Sequence, residues 1–203
     1  MGKRKKNNHK IIILTGMSGS GKDTILNKLC DNHNHYKRIV TYTTRPPRDN
    51  ETNGKDYNFV TYSEFMNMIH NDNIIEHRVY HTVYGDWYYG SSDLNIDLTK
   101  RDYCIILTLD GVDAFKKRFG AENCIVFYID VPNHIRKKRA KNRPNFDESE
   151  WQRRLMADKE DFSFEKVVHT CDFKIANYDK SLDDVITNIK DIIKYWKRDR
   201  KST

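Results

Sequence analysis

The chain has 203 residues, of which 37% are hydrophobic and 32% charged, and its formal net charge is +7. This length is enough for one domain with a substantial core, and recurrent apolar runs exclude a disordered chain. No apolar run approaches the roughly 20 residues of a membrane span, and the four cysteines form no C-x-x-C pair. We therefore expect a cytoplasmic protein without a disulfide framework or zinc site, whose positive charge suits anionic partners.

Residues 11–24, IIILTGMSGSGKDT, are the most informative stretch. The apolar run predicts a buried parallel strand, and Gly16, Gly21 and Lys22 after it match the phosphate-loop pattern G-x-x-x-x-G-K-[ST]. In such a loop, backbone N–H groups and a helix N-terminus surround a phosphate chain, and the lysine contacts the transferred phosphoryl group. The residues that we expect around the phosphates are Gly16, Ser18, Gly19, Ser20, Gly21, Lys22, Asp23 and Thr24.

The last position of the phosphate-loop pattern departs from it, because Asp23 stands where Ser or Thr usually contacts Mg²⁺. Thr24 supplies the next hydroxyl, and we expect it to contact Mg²⁺ directly or through water. A carboxylate beside polyphosphate is unfavourable unless a metal lies between them, so the role of Asp23 stays open.

After the phosphate loop and the helix that we expect to follow it, the sequence alternates between predicted strands and helices. A second strand is predicted at 37–44, and two prolines and two turn pairs then indicate an exposed excursion. The next elements that we predict are a strand at 57–61, a helix at 62–71, a strand at 73–80, a turn-rich aromatic stretch at 81–92 and a short helix at 93–100.

Long apolar runs of the buried parallel type resume at residue 103. The predicted elements are a strand at 103–110, a helix at 112–119, a strand at 122–130, a helix that starts at Pro132, a helix that starts near 147, a strand at 173–177 and an amphipathic helix at 182–196. This alternation predicts an α/β fold with a doubly wound parallel sheet.

Two clusters of basic residues accompany the phosphate loop. In the first, Arg45 and Arg48 flank a Pro-Pro pair that fixes the spacing of two guanidinium groups, which can bind phosphate bidentately. Tyr57 and Tyr89 can add hydroxyl groups to the same phosphate, although a charged loop that hydrogen-bonds its own carbonyls fits this cluster equally well. The second cluster begins at residue 135 and includes side chains that we expect on a solvated helix face: Arg136, Lys137, Lys138 and Lys141.

In chain order, the segments GMSGSGKDT, TYTTRPPRDNETNGKDYNFV, IIEH and YYGS resemble the guanylate kinase family, over about residues 11–196. The resemblance implies a P-loop kinase fold that transfers the γ-phosphoryl group of ATP, with Mg²⁺, to GMP or dGMP. It divides a single domain at 1–203 into a core (10–40, 103–134 and 166–198), a GMP-binding lobe (41–102), a lid (135–165) and a basic tail (1–9).

The resemblance also implies roles for individual residues. The GMP site would comprise Thr41, Arg45, Arg48, Tyr57, Glu76, Tyr89, Ser91 and Asp110. Within it, Glu76 and Thr41 would bind guanine, since a carboxylate can accept from the ring N–H and the exocyclic amine, an adjacent donor pair that adenine lacks. Catalysis would rest on Lys22, Arg45, Arg143 and Arg154, and Arg139 and Asn177 would lie on the ATP side.

Three departures from the family pattern leave alternatives open. The family usually has two acids near the end of the strand predicted at 103–110; Thr108 stands in place of the first, and Asp110 keeps the second. Tyr84 competes with Tyr89 as the residue that contacts the phosphate, and the Gly-Lys-Asp loop also resembles ribose-bisphosphate phosphokinases. The alternatives are therefore a sugar-phosphate kinase and a non-catalytic, guanylate-kinase-like interaction module. We expect small nucleotides as partners, no membrane or nucleic-acid partner, and a monomer or weak dimer.

Overall fold

The computed structural model of the protein describes residues 9–31, 35–82, 85–142 and 146–199. Two β-sheets and seven α-helices make up this part of the chain. The strands are β1 (Ile11–Thr15), β2 (Tyr36–Arg38), β3 (Tyr42–Thr43), β4 (Asn58–Phe59), β5 (Ile74–Thr82), β6 (Gly85–Ser92), β7 (Asp102–Ile106), β8 (Cys124–Asp130) and β9 (Phe173–Ala176). The helices are α1 (Lys22–Leu29), α2 (Tyr62–His70), α3 (Leu109–Phe119), α4 (Asn133–Lys141), α5 (Glu148–Asp161), α6 (Phe164–Thr170) and α7 (Leu182–Asp199).

The larger sheet has five parallel strands in the order β2, β7, β1, β8 and β9, so β1 lies at its centre. Ile12 and Leu14 of β1 pack with α1 and α7 on one face of this sheet. Ile11 and Ile13 pack with α3 on the other face. A strand that is buried on both faces is continuously apolar, so the apolar sequence of β1 predicts this burial. The predicted doubly wound α/β fold is confirmed.

The smaller sheet, in the order β4, β3, β6 and β5, is formed by the chain between β2 and β7. Its β5 and β6 form a long antiparallel hairpin, and α2 packs on one face of it. A capping box of Thr61 and Glu64 starts α2, and the fully buried Phe65 lies 5.7 Å from the ring of Tyr88 and 6.3 Å from that of His77. Because side chains alternate along a strand, the opposite face of the hairpin is free of α2.

Two predictions in this region, one of a strand and one of a turn-rich stretch, are wrong. The strand predicted at 37–44 is divided between β2 of the larger sheet and β3 of the smaller one, because the chain crosses between the sheets at 39–41. The turn-rich stretch predicted at 81–92 contains β6, which pairs with β5 along its length. Its glycines and aromatic residues suggested turns, but the aromatic side chains alternate between the two faces of the hairpin.

Two further boundaries differ from the sequence prediction. The helix predicted at 93–100 is a series of turns, in which the carboxylate of Asp97 accepts hydrogen bonds from the chain two residues ahead. The strand predicted at 103–110 ends at residue 106, because the Thr108 hydroxyl accepts a hydrogen bond from the N–H of Gly111 and so caps α3.

The longest described helix, α7, follows the predicted amphipathic pattern. Its Val185, Ile189 and Ile193 are buried in the core, whereas its other faces carry charged residues. Within the described ranges, no helix is both long and apolar enough to cross a membrane. Of the predicted basic tail, residues 1–8 lie outside the described residues.

Candidate active site

The predicted phosphate loop joins β1, at the centre of the larger sheet, to α1. Gly16 has a φ of +144° and Gly21 a φ of +90°, a backbone region that L side chains rarely adopt. A Cβ on Gly16 would lie 2.7 Å from the Ile129 carbonyl oxygen, and one on Gly21 would lie 2.8 Å from Asn177 Nδ2. Conformation therefore requires glycine at both positions, and close packing against backbone also requires it at Gly16.

Lys22 extends its side chain across the loop. Its Nζ donates hydrogen bonds to the carbonyl oxygens of Gly16, at 2.6 Å, and Met17, at 3.0 Å. A phosphate chain in the loop would offer charged oxygens to the same ammonium group, and a charge-assisted hydrogen bond is the stronger one. The position of Lys22 is therefore compatible with its predicted role.

Asp23 and Thr24 are exposed in the first turn of α1. Among the described residues, no cluster of three or more His, Cys, Asp or Glu side chains could hold a metal ion. An Mg²⁺ ion at Thr24 would therefore take most of its oxygen ligands from phosphate and water, which is how this ion is commonly bound beside nucleotides. The exposed hydroxyl fits that arrangement.

Arg139 and Asn177 contact the far end of the phosphate loop. Asn177 Nδ2 donates to the Ser20 carbonyl oxygen at 2.8 Å. Arg139, on α4, donates to the carbonyl oxygens of Asn177, at 2.7 Å, and Ser20, at 3.4 Å. The structure thus brings these two predicted residues to the loop, where they hold its backbone.

Arg136 is not part of a solvated helix face, so this prediction is wrong. Lys138 and Lys141 are exposed as predicted, but Arg136 is only 3% exposed. Its guanidinium points inwards to the phosphate loop and lies 3.3 Å from a carboxylate oxygen of Asp158 on α5. The sequence pattern of α4 could not reveal this contact, because the counter-charge comes from another helix.

Arg45 is also buried, with 4% exposure. Its Nε donates to the Tyr89 hydroxyl at 3.0 Å, and its Nη2 donates to both carboxylate oxygens of Glu51, at 2.7 and 2.9 Å. The ring of Tyr57 lies 5.5 Å from Arg45 Cζ and 5.8 Å from the ring of Tyr89. Burial raises the pKa of Tyr57, so its hydroxyl stays a donor at neutral pH. Three predicted phosphate ligands from separate segments thus converge.

Glu51 is a member of this cluster that the sequence analysis missed. It also accepts a hydrogen bond from the Arg48 N–H at 2.9 Å, while the Arg48 side chain is exposed. The hydrogen bond from Arg45 is the main reason that the pKa of Glu51 is lowered, and the carboxylate is therefore charged at neutral pH. The spacing R-x-x-R-x-x-E was the available signal, since an acid in that loop could pair with either arginine.

Three cross-strand pairs occupy the hairpin face that is free of α2. These pairs are Glu76 with Ser91, Arg78 with Tyr89 and Tyr80 with Trp87. Glu76 Oε1 accepts a hydrogen bond from the buried Ser91 hydroxyl at 2.6 Å, so these two residues of the predicted GMP site lie together. Arg78, Tyr80 and Trp87 were missed, although their period-two spacing from predicted residues was visible in the sequence.

A cleft of about 640 Å³ lies between this hairpin face, α5 and the phosphate loop. Thr41, Tyr57 and Glu76 line it on one side, and Ser18 of the phosphate loop and Arg154 of α5 line it on the other. Arg154 is half exposed, and its Nε donates to Glu150 at 2.7 Å on the same helix. The cleft therefore connects the predicted GMP and ATP sides.

Asp110, a predicted residue of the GMP site, lies apart from the cleft. Asp110 is in the first turn of α3, is 91% exposed and has a carboxylate oxygen 3.4 Å from Arg78 Nη2. It is not among the residues that line the cleft. Arg143 and Tyr84 lie outside the described residues. The preference for Tyr89 over Tyr84 therefore stays a prediction; the Tyr89 hydroxyl accepts a hydrogen bond from Arg45.

Comparisons with known proteins agree with this geometry. Residues 8–195 match the family model described as guanylate kinase. The chain is 35% identical over 147 residues to the guanylate kinase of Neisseria gonorrhoeae, which covers 71% of this chain and 70% of that protein. It is 28% identical over 186 residues to guanylate kinase 2, chloroplastic/mitochondrial, of Oryza sativa subsp. japonica, which covers 90% of this chain and 63% of that protein.

The fold also resembles a solved structure. The crystal structure of guanylate kinase from Anaplasma phagocytophilum matches with a TM-score of 0.61 at 24% identity, over 92% of this chain and 85% of that one. At this identity the likeness supports the fold alone. The family model, however, covers almost the whole described chain, including the loop, the arginine cluster and the hairpin. This chain therefore belongs to the guanylate kinase family.

Proposed function

We propose that this chain transfers the γ-phosphoryl group of ATP to GMP, and to dGMP, to give GDP and dGDP. The observation that carries the proposal is the single cleft that joins a phosphate loop, at Ser18, to the carboxylate of Glu76 and the phenol of Tyr89. Relatives that are named guanylate kinases support the same reaction.

The acceptor nucleotide would lie on the smaller sheet. Glu76, held by Ser91, would accept from the two adjacent donors of guanine, and Thr41 would contact the base beside it. The phosphate of GMP would bind Arg45, with Tyr57 and Tyr89 next to the guanidinium; Arg48 and Asp110 complete the proposed GMP site. The buried position of Arg45 supports this role, because a guanidinium with fixed partners loses little entropy on binding.

Phosphoryl transfer depends on positioning and on electrostatic stabilisation, so no protein nucleophile is needed. We infer that Lys22, Arg45, Arg143 and Arg154 offset the charge that develops on the transferred group. Arg139 and Asn177 would serve the ATP side, where they already contact the loop. Mg²⁺, when bound at Thr24, would neutralise charge on the phosphates of ATP.

The proposed organisation assigns residues 41–102 to a GMP-binding lobe and 135–165 to a lid, on a core of 10–40, 103–134 and 166–198. The separate sheet formed between β2 and β7 supports the first assignment. Closure of the lid would exclude water and suppress ATP hydrolysis. We also propose that the enzyme is cytoplasmic and is a monomer or weak dimer. Size-exclusion chromatography with light scattering would test the oligomeric state.

An assay of ADP release tests the reaction over GMP, dGMP, AMP, dTMP and ribose bisphosphate. We expect turnover with GMP and dGMP and at most about a hundredth of that kcat/KM with the others, because only guanine offers Glu76 two adjacent donors. Equal activity with ribose bisphosphate, or no ATP turnover with any acceptor, would contradict the proposal.

The variant Glu76→Gln tests base recognition. Its amide NH₂ faces the donors of guanine, so we expect the kcat/KM for GMP to fall about 100-fold or more with little change in the KM for ATP. Asp86→Asn is the matched control, because it removes a carboxylate from the other face of the same hairpin. The same loss in both variants would show that the effect is not base recognition.

A further inference from the structure

A buried ion pair contacts the phosphate loop from the side of α4 and α5. Asp158 Oδ2 accepts a hydrogen bond from the Ser18 N–H at 2.8 Å, and its Oδ1 accepts one from the Ser18 hydroxyl at 3.2 Å. Arg136 Nη1 donates to the Ser18 carbonyl oxygen at 3.0 Å and to Asp158 Oδ2 at 3.3 Å. The pair therefore binds both backbone polar groups and the side chain of one loop residue.

The pair is itself held in place. Arg136 Nε donates to the Val131 carbonyl oxygen at 3.2 Å, and its Cζ lies 5.8 Å from the centre of the Trp151 ring. Asp158 is 8% exposed and Arg136 is 3% exposed, so neither charge is well solvated. A buried charge that loses its partner is strongly unfavourable, which makes the two residues mutually dependent.

The backbone of Arg136 also limits the loop directly. A Cβ on the next loop residue, Gly19, would lie 3.0 Å from the Arg136 carbonyl oxygen. The path of the loop at Ser18 and Gly19 is therefore set by side-chain contacts and by steric contact with α4. Neither Arg136 nor Asp158 belongs to the phosphate-loop pattern.

The charges of this pair matter because of what the loop is proposed to bind. Asp158 places a carboxylate against a loop that would receive the phosphates of ATP, and like charges repel strongly at a partly buried site. Arg136 supplies the compensating charge, because it donates to the same oxygen of Asp158 that accepts from the Ser18 N–H. Without Arg136, the carboxylate of Asp158 would stay beside the loop with no positive charge to offset it.

We propose that Arg136 and Asp158 are positioning residues for the phosphate loop, and that the charge of Arg136 must offset the carboxylate of Asp158 for the loop to bind ATP. This inference rests on the proposed function for the identity of ATP as the ligand. It also implies that the parts of α4 and α5 that contact the phosphate loop belong to the nucleotide-binding site, even when the rest of the proposed lid moves.

A double-mutant cycle with Arg136→Met, Asp158→Asn and the double variant tests the proposal. We expect Arg136→Met to weaken binding of a non-hydrolysable ATP analogue about tenfold or more in titration calorimetry. Asp158→Asn keeps the shape and the hydrogen-bonding capacity towards Ser18, so its affinity is expected to stay within about threefold of wild type. The affinity of the double variant for the analogue is expected to lie within about threefold of that of Asp158→Asn, because the uncompensated carboxylate is gone.

A merely structural role would give a different result. The double variant would then bind the ATP analogue no better than Arg136→Met, even though it no longer carries an unpaired buried charge. That outcome would overturn the proposal. Arg136→Lys should keep the affinity within about threefold of wild type, since it retains the charge. Should Arg136→Met fail to fold, Arg136→Gln replaces it in the cycle, because the amide still donates to Ser18.

Two exposed positions provide matched controls. Lys138→Met removes a positive charge from α4, and Glu160→Gln removes a negative charge from α5, both at exposed sites. Neither is expected to change the affinity for the ATP analogue by more than about twofold. If the proposed function is wrong, the wild-type protein will release no ADP from ATP and GMP. The double-mutant cycle depends only on binding of the ATP analogue, so the two failures can be distinguished.

Discussion

Replacing Glu51 with Gln should leave the buried Arg45 guanidinium without its counter-charge. Arg45 is 4% exposed, and Glu51, with 18% of its side chain exposed, accepts two hydrogen bonds from it. Breaking a fully buried pair costs about 3–5 kcal/mol, and partial access of water to Glu51 reduces that figure. We therefore expect the free energy of unfolding to fall by about 2 kcal/mol, which lowers the melting temperature by about 4–8 °C.

Urea unfolding at two pH values measures this effect. Because Arg45 lowers the pKa of Glu51 in the native state, the stabilisation is fully present above the unfolded-state pKa of about 4.3. It is lost as the pH falls through the lower native pKa, because the carboxyl is then protonated. The difference between wild type and Glu51→Gln is therefore expected to be largest at neutral pH and to shrink in acid.

Asp49→Asn is the control for the Glu51 variant, since it removes a negative charge from an exposed position of the same loop. It is expected to change the free energy of unfolding by less than about 0.5 kcal/mol. If Glu51→Gln behaves in the same way at neutral pH, or if its effect does not depend on pH, the buried pair does not stabilise the protein and the reasoning is refuted.

Lys22→Met should lower kcat for GMP about 100-fold or more with an unchanged circular dichroism spectrum, because a charge at the transferred group is lost; unchanged ADP release would contradict its role. Phe65→Ala should reduce the free energy of unfolding by about 3 kcal/mol in urea, since the ring is fully buried between α2 and the hairpin. Iodoacetamide at pH 7.5 should label Cys30 before Cys124 and Cys171, as followed by mass spectrometry. A hydrogen bond from a neighbouring thiol lowers the pKa of Cys30, whereas burial raises those of Cys124 and Cys171 to about 12. Faster labelling of either of the latter would contradict these directions.

The elements that the sequence predicts well are those whose pattern depends on the larger sheet alone. The apolar run of β1 and the glycines after it are a local signal, since burial on both faces and close backbone packing each demand a particular residue type. The predictions of a strand at 37–44 and of a turn-rich stretch at 81–92 were wrong because the structure of each segment depends on the sheet that it joins. That choice is made by tertiary pairing and leaves little trace in a short sequence.

The candidate site shows the same limit. Arg45, Tyr57 and Glu76 could be named from the sequence because their motifs carry the chemistry of phosphate and guanine recognition. Glu51 and Arg136 could not, because the first depends on the fold of a loop and the second on a carboxylate from another helix. Charged residues that become buried through distant partners are the class that hydropathy patterns assign to the surface.

The alternation of the β5–β6 hairpin constrains how its length can vary. Deleting one residue from β6 near the tip would turn Trp87 and Ser91 from the cleft face towards α2, so that Glu76 would lose the hydrogen bond from the Ser91 hydroxyl. Removing one residue from each strand next to the tip would leave every remaining pair opposite its present partner. We therefore expect functional length variants of this hairpin to differ by paired insertions or deletions, and single-residue ones to be selected against.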